Sequence, residues 1–139
     1  MGTIIGGKLA DKFSPAKTTG AILLATAFML LLVYFVAASS IGMLVSTFVM
    51  GALVMAIAPP IQTLMVQTAR GAETLASSIL QACFNIGNAL GAFLGGLPLV
   101  AGYDLRSPQL VGVIMALLGV GAIGVLLARS KAPSSLAVQ

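Results

Sequence analysis

Three amide side chains, Gln81, Asn85 and Asn88, interrupt a stretch that is otherwise apolar or small, QACFNIGNALGAFLGG over residues 81–96. An amide donates and accepts hydrogen bonds without carrying charge. Such a set can therefore hold a neutral polar solute or bond to a neighbouring helix. Gln62, Thr63 and Gln67 form a second group, directly after the pair Pro59-Pro60. Other chemistry is sparse. The chain has no histidine, which removes the side chain that titrates near neutral pH and most often binds metals. Its single cysteine, Cys83, can close no internal disulfide and has no companion ligands. The three acids, Asp11, Glu73 and Asp104, sit where apolar runs end. No catalytic constellation or metal site follows from these residues, so the sequence points away from an enzyme and calls for no cofactor.

Composition sets the medium in which the amides must lie. Of 139 residues, 59% are hydrophobic and 7% are charged, and mean hydropathy is +1.11. A soluble domain carries about a quarter charged residues, so the natural solvent here is a lipid bilayer. The net charge of +4 does not mark a nucleic-acid partner, because the basic residues form no single patch. They stand at the ends of apolar runs instead.

Four segments come near the roughly 20 residues that cross a hydrocarbon core: residues 20–38, 41–69, 74–102 and 110–128. The expectation is an all-α integral membrane protein with four transmembrane helices. Residues 1–7 are apolar but too short to cross, and Lys8 interrupts them. They read as the cytoplasmic stump of a further helix, which makes the chain a truncated one. Residues 132–139 are small and polar and are expected to form a disordered cytoplasmic tail. Lys8, Lys12 and Lys17 precede the first segment, Arg70 separates the second and third, and Arg129 and Lys131 follow the fourth. With four crossings these share one side and leave Arg106 on the other. The positive-inside rule makes that side cytoplasmic, and the C-terminus with it.

At 100° per residue, Gln81, Asn85 and Asn88 fall within about 60° of one another on a helix. Gly87, Gly91 and Gly95 form an adjoining stripe that suits close approach of another helix backbone. Ile79, Ile86, Leu90, Phe93 and Leu97 take the opposite side. Two readings of the amides stay open: bonds between helices, or the wall of a substrate path. In the second segment, Pro59 and Pro60 remove two amide donors and are expected to kink or tilt the helix near Ala58. Gln62 and its neighbours then either line a cavity or satisfy the carbonyls that the prolines free. The first and fourth segments are almost wholly apolar and are expected to face lipid.

Two stretches carry a resemblance. GGKLADKFSPAK, residues 6–17, resembles the loop signature Gly-x-Leu-Ala-Asp-Arg-x-Gly-Arg-Arg of the major facilitator superfamily. Gly7, Leu9, Ala10 and Asp11 match it and Lys12 replaces Arg, whereas Ser14 and Pro15-Ala16 depart from it. That pattern is similar to the weaker copy of the motif between helices eight and nine. The second stretch, APPIQTLMVQTARGAETLASSILQACFNIGNALGAFLGG over residues 58–96, is similar to helices ten and eleven of the drug:proton antiporter subfamily that includes arabinose-efflux-type permeases. NIGNALGAFLGG and LRSP carry most of the likeness.

The resemblance implies that residues 1–131 form the C-terminal part of a transporter domain, from the end of helix eight through helix twelve. It implies a multi-pass protein of the inner or plasma membrane, working by alternating access between two six-helix halves. The cargo would be a sugar or drug-like small molecule, exported against protons. This chain would then need the first half of the transporter, absent here, as its partner. In that fold helices nine and twelve lie outside, while ten and eleven line the central cavity. This agrees with the spacing-based expectation of a substrate path at Gln62, Gln81, Asn85 and Asn88 and of helix packing at Gly87, Gly91 and Gly95. Gly7, Asp11 and Lys12 would form a gating loop, the Asp11 carboxylate latching a helix N-terminus across the interface between halves. Otherwise Asp11 is an exposed acid beside Lys8 or Lys12. Outside the family, the alternatives are a small four-helix protein that pairs with its own copies and a non-transporting membrane subunit.

Overall fold

The computed structural model describes residues 2–37 and 39–131, with the backbone alone at residues 5, 10, 11, 130 and 131. The tail at residues 132–139 lies outside the described residues. Five helices follow one another: α1 (Gly2–Lys12), α2 (Pro15–Val36), α3 (Ser40–Thr68), α4 (Glu73–Val100) and α5 (Ser107–Lys131). Four of them are long and apolar enough to cross a membrane: Pro15–Val36, Ser40–Thr68, Glu73–Val100 and Ser107–Arg129. At 1.5 Å per residue α2 is about 33 Å long and α4 about 42 Å. The longer helices must tilt or project from a core of about 30 Å.

Short polar turns set the ends. Pro15 opens α2, where its missing N–H costs nothing because the first helical amides have no partner anyway. Leu9 O of α1 accepts from Phe13 N at 2.8 Å and from the buried Thr18 hydroxyl of α2 at 3.2 Å, which locks this corner. The Ser39 side chain caps α3 by accepting from Gly42 N at 3.3 Å. Gly71, at φ 84°, turns the chain from α3 to α4, and its N–H donates to Glu73 Oε1 at 3.0 Å. α4 ends in a Schellman motif: Tyr103 N donates to Pro98 O at 3.0 Å and Gly102 N to Leu99 O at 3.1 Å. That geometry needs the left-handed φ of 81° at Gly102.

Packing is tightest where glycine meets a neighbour. α1 runs parallel to α3, and a Cβ added at Gly2 or Gly6 would overlap the carbonyl oxygens of Ala52 and Ala56 respectively. Two small residues four apart thus face two more, and the backbones touch. α5 runs antiparallel to α2. Its Gly112 and Gly119 accept Leu30 and Leu23, whose Cδ1 atoms lie 3.0 and 3.1 Å from where a Cβ would stand. Ile123 returns the fit at Gly20, at 3.4 Å. Thr19, Ile22, Ala27 and Val33 of α2 are buried, with Val113 and Ala116 of α5. α4 touches α3 and α5 more lightly, and among its residues Ala76 and Leu80 alone are buried.

Two places bear on the sequence expectations. α3 is helical without interruption through Ala58, Pro59 and Pro60. The carbonyls the prolines leave without an amide are those of Met55 and Ala56, four residues earlier. Ala56 O is the oxygen covered by Gly6. The segment resembling a loop signature is also helical as far as Lys12, and Phe13 and Ser14 make the turn.

Candidate functional site

α4 presents its amides on one face. Gln81, Asn85 and Asn88 are all exposed, and none has a hydrogen-bond partner among the described residues. At 1.5 Å per residue they stand about 12, 18 and 22 Å along the axis from Glu73. Asn85 and Asn88 therefore flank the middle of a helix of about 42 Å. From residue 74 to residue 100 the helix carries no Asp, Glu, Lys or Arg, so the face is polar yet uncharged. The other side exposes Ile86, Leu90 and Phe93, fit for lipid or apolar protein.

Gln62 is exposed on α3, about 9 Å from that helix's C-terminal end. It shares the depth of Gln81, and no hydrogen bond joins the two helices' amides. Thr63 Oγ1 donates to Pro59 O at 3.0 Å. Pro59 O is not one of the carbonyls that the prolines leave unpaired, so Thr63 adds a second bond rather than replacing a lost one. Gln67 is exposed near the end of α3.

Gly87 and Gly91 have nothing within 4 Å of an added Cβ, and Gly95 has only Pro108 Cβ at 3.9 Å. Within this chain the stripe faces open space beside the amides. Among the glycines that do pack, Gly2, Gly6, Gly112 and Gly119 escape sequence reasoning. The signal for the first two is their four-residue spacing, and for the others a seven-residue spacing that meets Leu23 and Leu30 across the helix pair. Gly7 also has nothing within 4 Å. The Asp11 side chain lies outside the described residues.

Helix directions gather the exposed cations Lys8, Lys12, Lys17, Arg70 and Arg129 at one end of the structure. Arg106 stands at the other, where its N–H donates to Asp104 Oδ1 at 3.4 Å. Among the described residues no three His, Cys, Asp or Glu side chains group to hold a metal ion.

A family model described as Major Facilitator Superfamily matches residues 1–138. The chain is 35% identical over 138 residues to the "Inner membrane transport protein YdhP" of Escherichia coli (strain K12), which covers 99% of this chain and 35% of that protein. It is 29% identical over 102 residues to the "Putative transporter AraJ" of the same organism, covering 73% of this chain and 26% of AraJ. A shorter match, 37% over 54 residues, joins 39% of the chain to 14% of the "Uncharacterized MFS-type transporter YfhI" of Bacillus subtilis (strain 168). The chain thus spans about a third of the length of YdhP, the share being 35%. No solved structure matches it.

Proposed function

The chain belongs to the Major Facilitator Superfamily, and on that premise we propose that it forms the C-terminal third of a secondary transporter of the inner membrane. The observation that carries this reading is the set of unpartnered amides at mid-depth on α4. An amide left unpaired in hydrocarbon costs about 4–8 kcal/mol by alkane transfer. The face of Gln81, Asn85 and Asn88 must therefore meet water or further protein. Alternating access supplies both, with a site near the bilayer midplane between two halves that rock about it.

In this reading Gln62, Gln81, Asn85 and Asn88 line the path and bind a neutral polar group of a sugar or drug-like molecule during efflux. Gly87, Gly91 and Gly95 let a helix from outside this chain approach α4 closely. Coupling to protons needs a carboxylate that reaches both sides in turn. The three acids of this chain stand at helix ends, so the coupling group belongs to the rest of the transporter. Gly7, Asp11 and Lys12, at the cytoplasmic end of α1, contribute to a latch that holds one access state. The cation-rich end of the structure faces the cytoplasm, as does the C-terminus.

Thiol accessibility in the intact transporter tests this. In a Cys83→Ala background, Asn85→Cys and Asn88→Cys should react with a membrane-impermeant maleimide at a rate approaching that of Ala72→Cys in the α3–α4 turn. Leu90→Cys, on the apolar side, should stay inert. Inert positions 85 and 88 would instead make the amides bonds between helices. The open surface at Gly87 and Gly91 also suits a second copy of this chain. In that case Gly91→Leu would convert a dimer in mild detergent to a monomer.

A further inference from the structure

At the cation-rich end, the corner between α1 and α2 forms an apolar groove of about 260 Å³, lined by Leu9, Phe13, Lys17, Thr18 and Ala21. Leu9 on α1 and Phe13 in the turn that follows it are 38% and 57% exposed. Thr18 is buried and its hydroxyl donates to Leu9 O at 3.2 Å, so the floor is largely apolar. Two exposed lysines belong to this corner. Lys17 lines the groove and is exposed, so its stem can lie along the slot with its head in water. Lys12 Nζ lies 5.9 Å from the centroid of the ring of Phe13, itself a lining residue. Neither lysine has an ion-pair partner among the described residues. Residues 1–19 carry three lysines and one carboxylate, that of Asp11.

An apolar slot lined by Lys17, with Lys12 near its Phe13 ring, at the membrane surface matches one class of molecule. We infer that this groove binds an anionic phospholipid, with an acyl chain along Leu9, Phe13 and Ala21 and the phosphate at Lys12 and Lys17. The inference concerns the corner of α1 and α2 rather than the α4 face, and it shares only Lys12 with the latch proposed above. Each lysine should favour an anionic over a zwitterionic headgroup by about fivefold, the size of one juxtamembrane basic contact.

The chain contains no tryptophan, so Phe13→Trp places a lone reporter in the groove. The full chain carrying it is reconstituted in phosphatidylcholine bilayers, with its helical circular dichroism verified, and titrated with brominated phosphatidylglycerol or brominated phosphatidylcholine. The expected result is markedly stronger quenching by phosphatidylglycerol, abolished in the Lys12→Gln/Lys17→Gln variant and kept in Arg70→Gln. A reporter at Phe35, on the opposite end of α2, should show no preference. Equal quenching by the two lipids at position 13 would overturn the inference. So would a preference that Arg70→Gln lowers as much as the lysine pair does, because a diffuse positive field would then suffice.

Discussion

Gly6→Ala isolates the seam between α1 and α3. The new Cβ would overlap Ala56 O and stand 2.9 Å from the Ala56 carbonyl carbon and 3.0 Å from its Cα. All three atoms are backbone, so none can rotate aside. The helices must part by on the order of 1 Å, which forfeits up to about half of each dispersion contact along the seam. Parting also uncovers a carbonyl that has no helical amide, because Pro60 stands four residues on. Overpacking of this kind costs about 1–3 kcal/mol. Alanine recovers somewhat under 1 kcal/mol of helix propensity, which leaves a net loss of about 1–2 kcal/mol. Gly112→Ala is the matched control, since its Cβ meets Leu30 Cδ1 at 3.0 Å. That atom is the end of a rotatable side chain, so propensity prevails and the variant should be neutral or slightly more stable. The assay is thermal unfolding of the purified chain in mild detergent, followed by circular dichroism. Gly6→Ala should melt about 3–8 °C below the parent. If Gly6→Ala melts at or above Gly112→Ala, backbone contact does not hold α1 to α3 and the reasoning fails.

Three further outcomes are expected. Thr18→Val removes the hydroxyl that donates to Leu9 O at 3.2 Å and should cost about 1 kcal/mol; hydrogen exchange should quicken at residues 9–13, and Thr18→Ser should restore protection. In the intact transporter, Asn85→Leu/Asn88→Leu should abolish transport while membrane insertion and melting stay unchanged, because neither amide has a partner within this chain. Normal flux in that variant would remove the amides from the substrate path. On intact cells, Tyr103→Cys should be labelled by an impermeant maleimide and Ala72→Cys only after permeabilisation; the reverse pattern would invert the orientation.

The sequence predicts the spans well because each is set by local hydropathy and a nearby breaker. Expected and observed segments differ mainly where helices extend into polar ends: α2 begins at Pro15 rather than near residue 20, and α5 at Ser107 rather than near residue 110. Proline at the first helical position and the Asp104–Ser107 turn explain these early starts, with Ser107 Oγ donating to Asp104 O at 2.6 Å. The amide face of α4 was also legible, since three residues at helical spacing need no partner to define a side. Packing was less so. Gly87, Gly91 and Gly95 look like a seam from spacing alone, yet within this chain their surface is open. Gly112 and Gly119 matter because Leu23 and Leu30 fill them from a distant helix, a fact no local window contains. α3 stays helical through Pro59 and Pro60, and the carbonyl that Pro60 leaves without a helical amide lies against Gly6 of α1, a contact no local window contains.

The antiparallel pairing of α2 with α5 has a consequence for the order of events during synthesis. Gly112 meets Leu30 and Gly119 meets Leu23, so this pair joins segments roughly 90 residues apart. At about 5–20 residues per second, α2 emerges some 5–20 s before its main partner. During that interval α1, α2 and α3 can assemble as a hairpin-linked group, while Leu23 and Leu30 remain against lipid. α5 then closes the set as a final step. A ribosome halted before Gly112 leaves behind an inserted but open intermediate, the state in which quality-control proteases would find this chain most accessible.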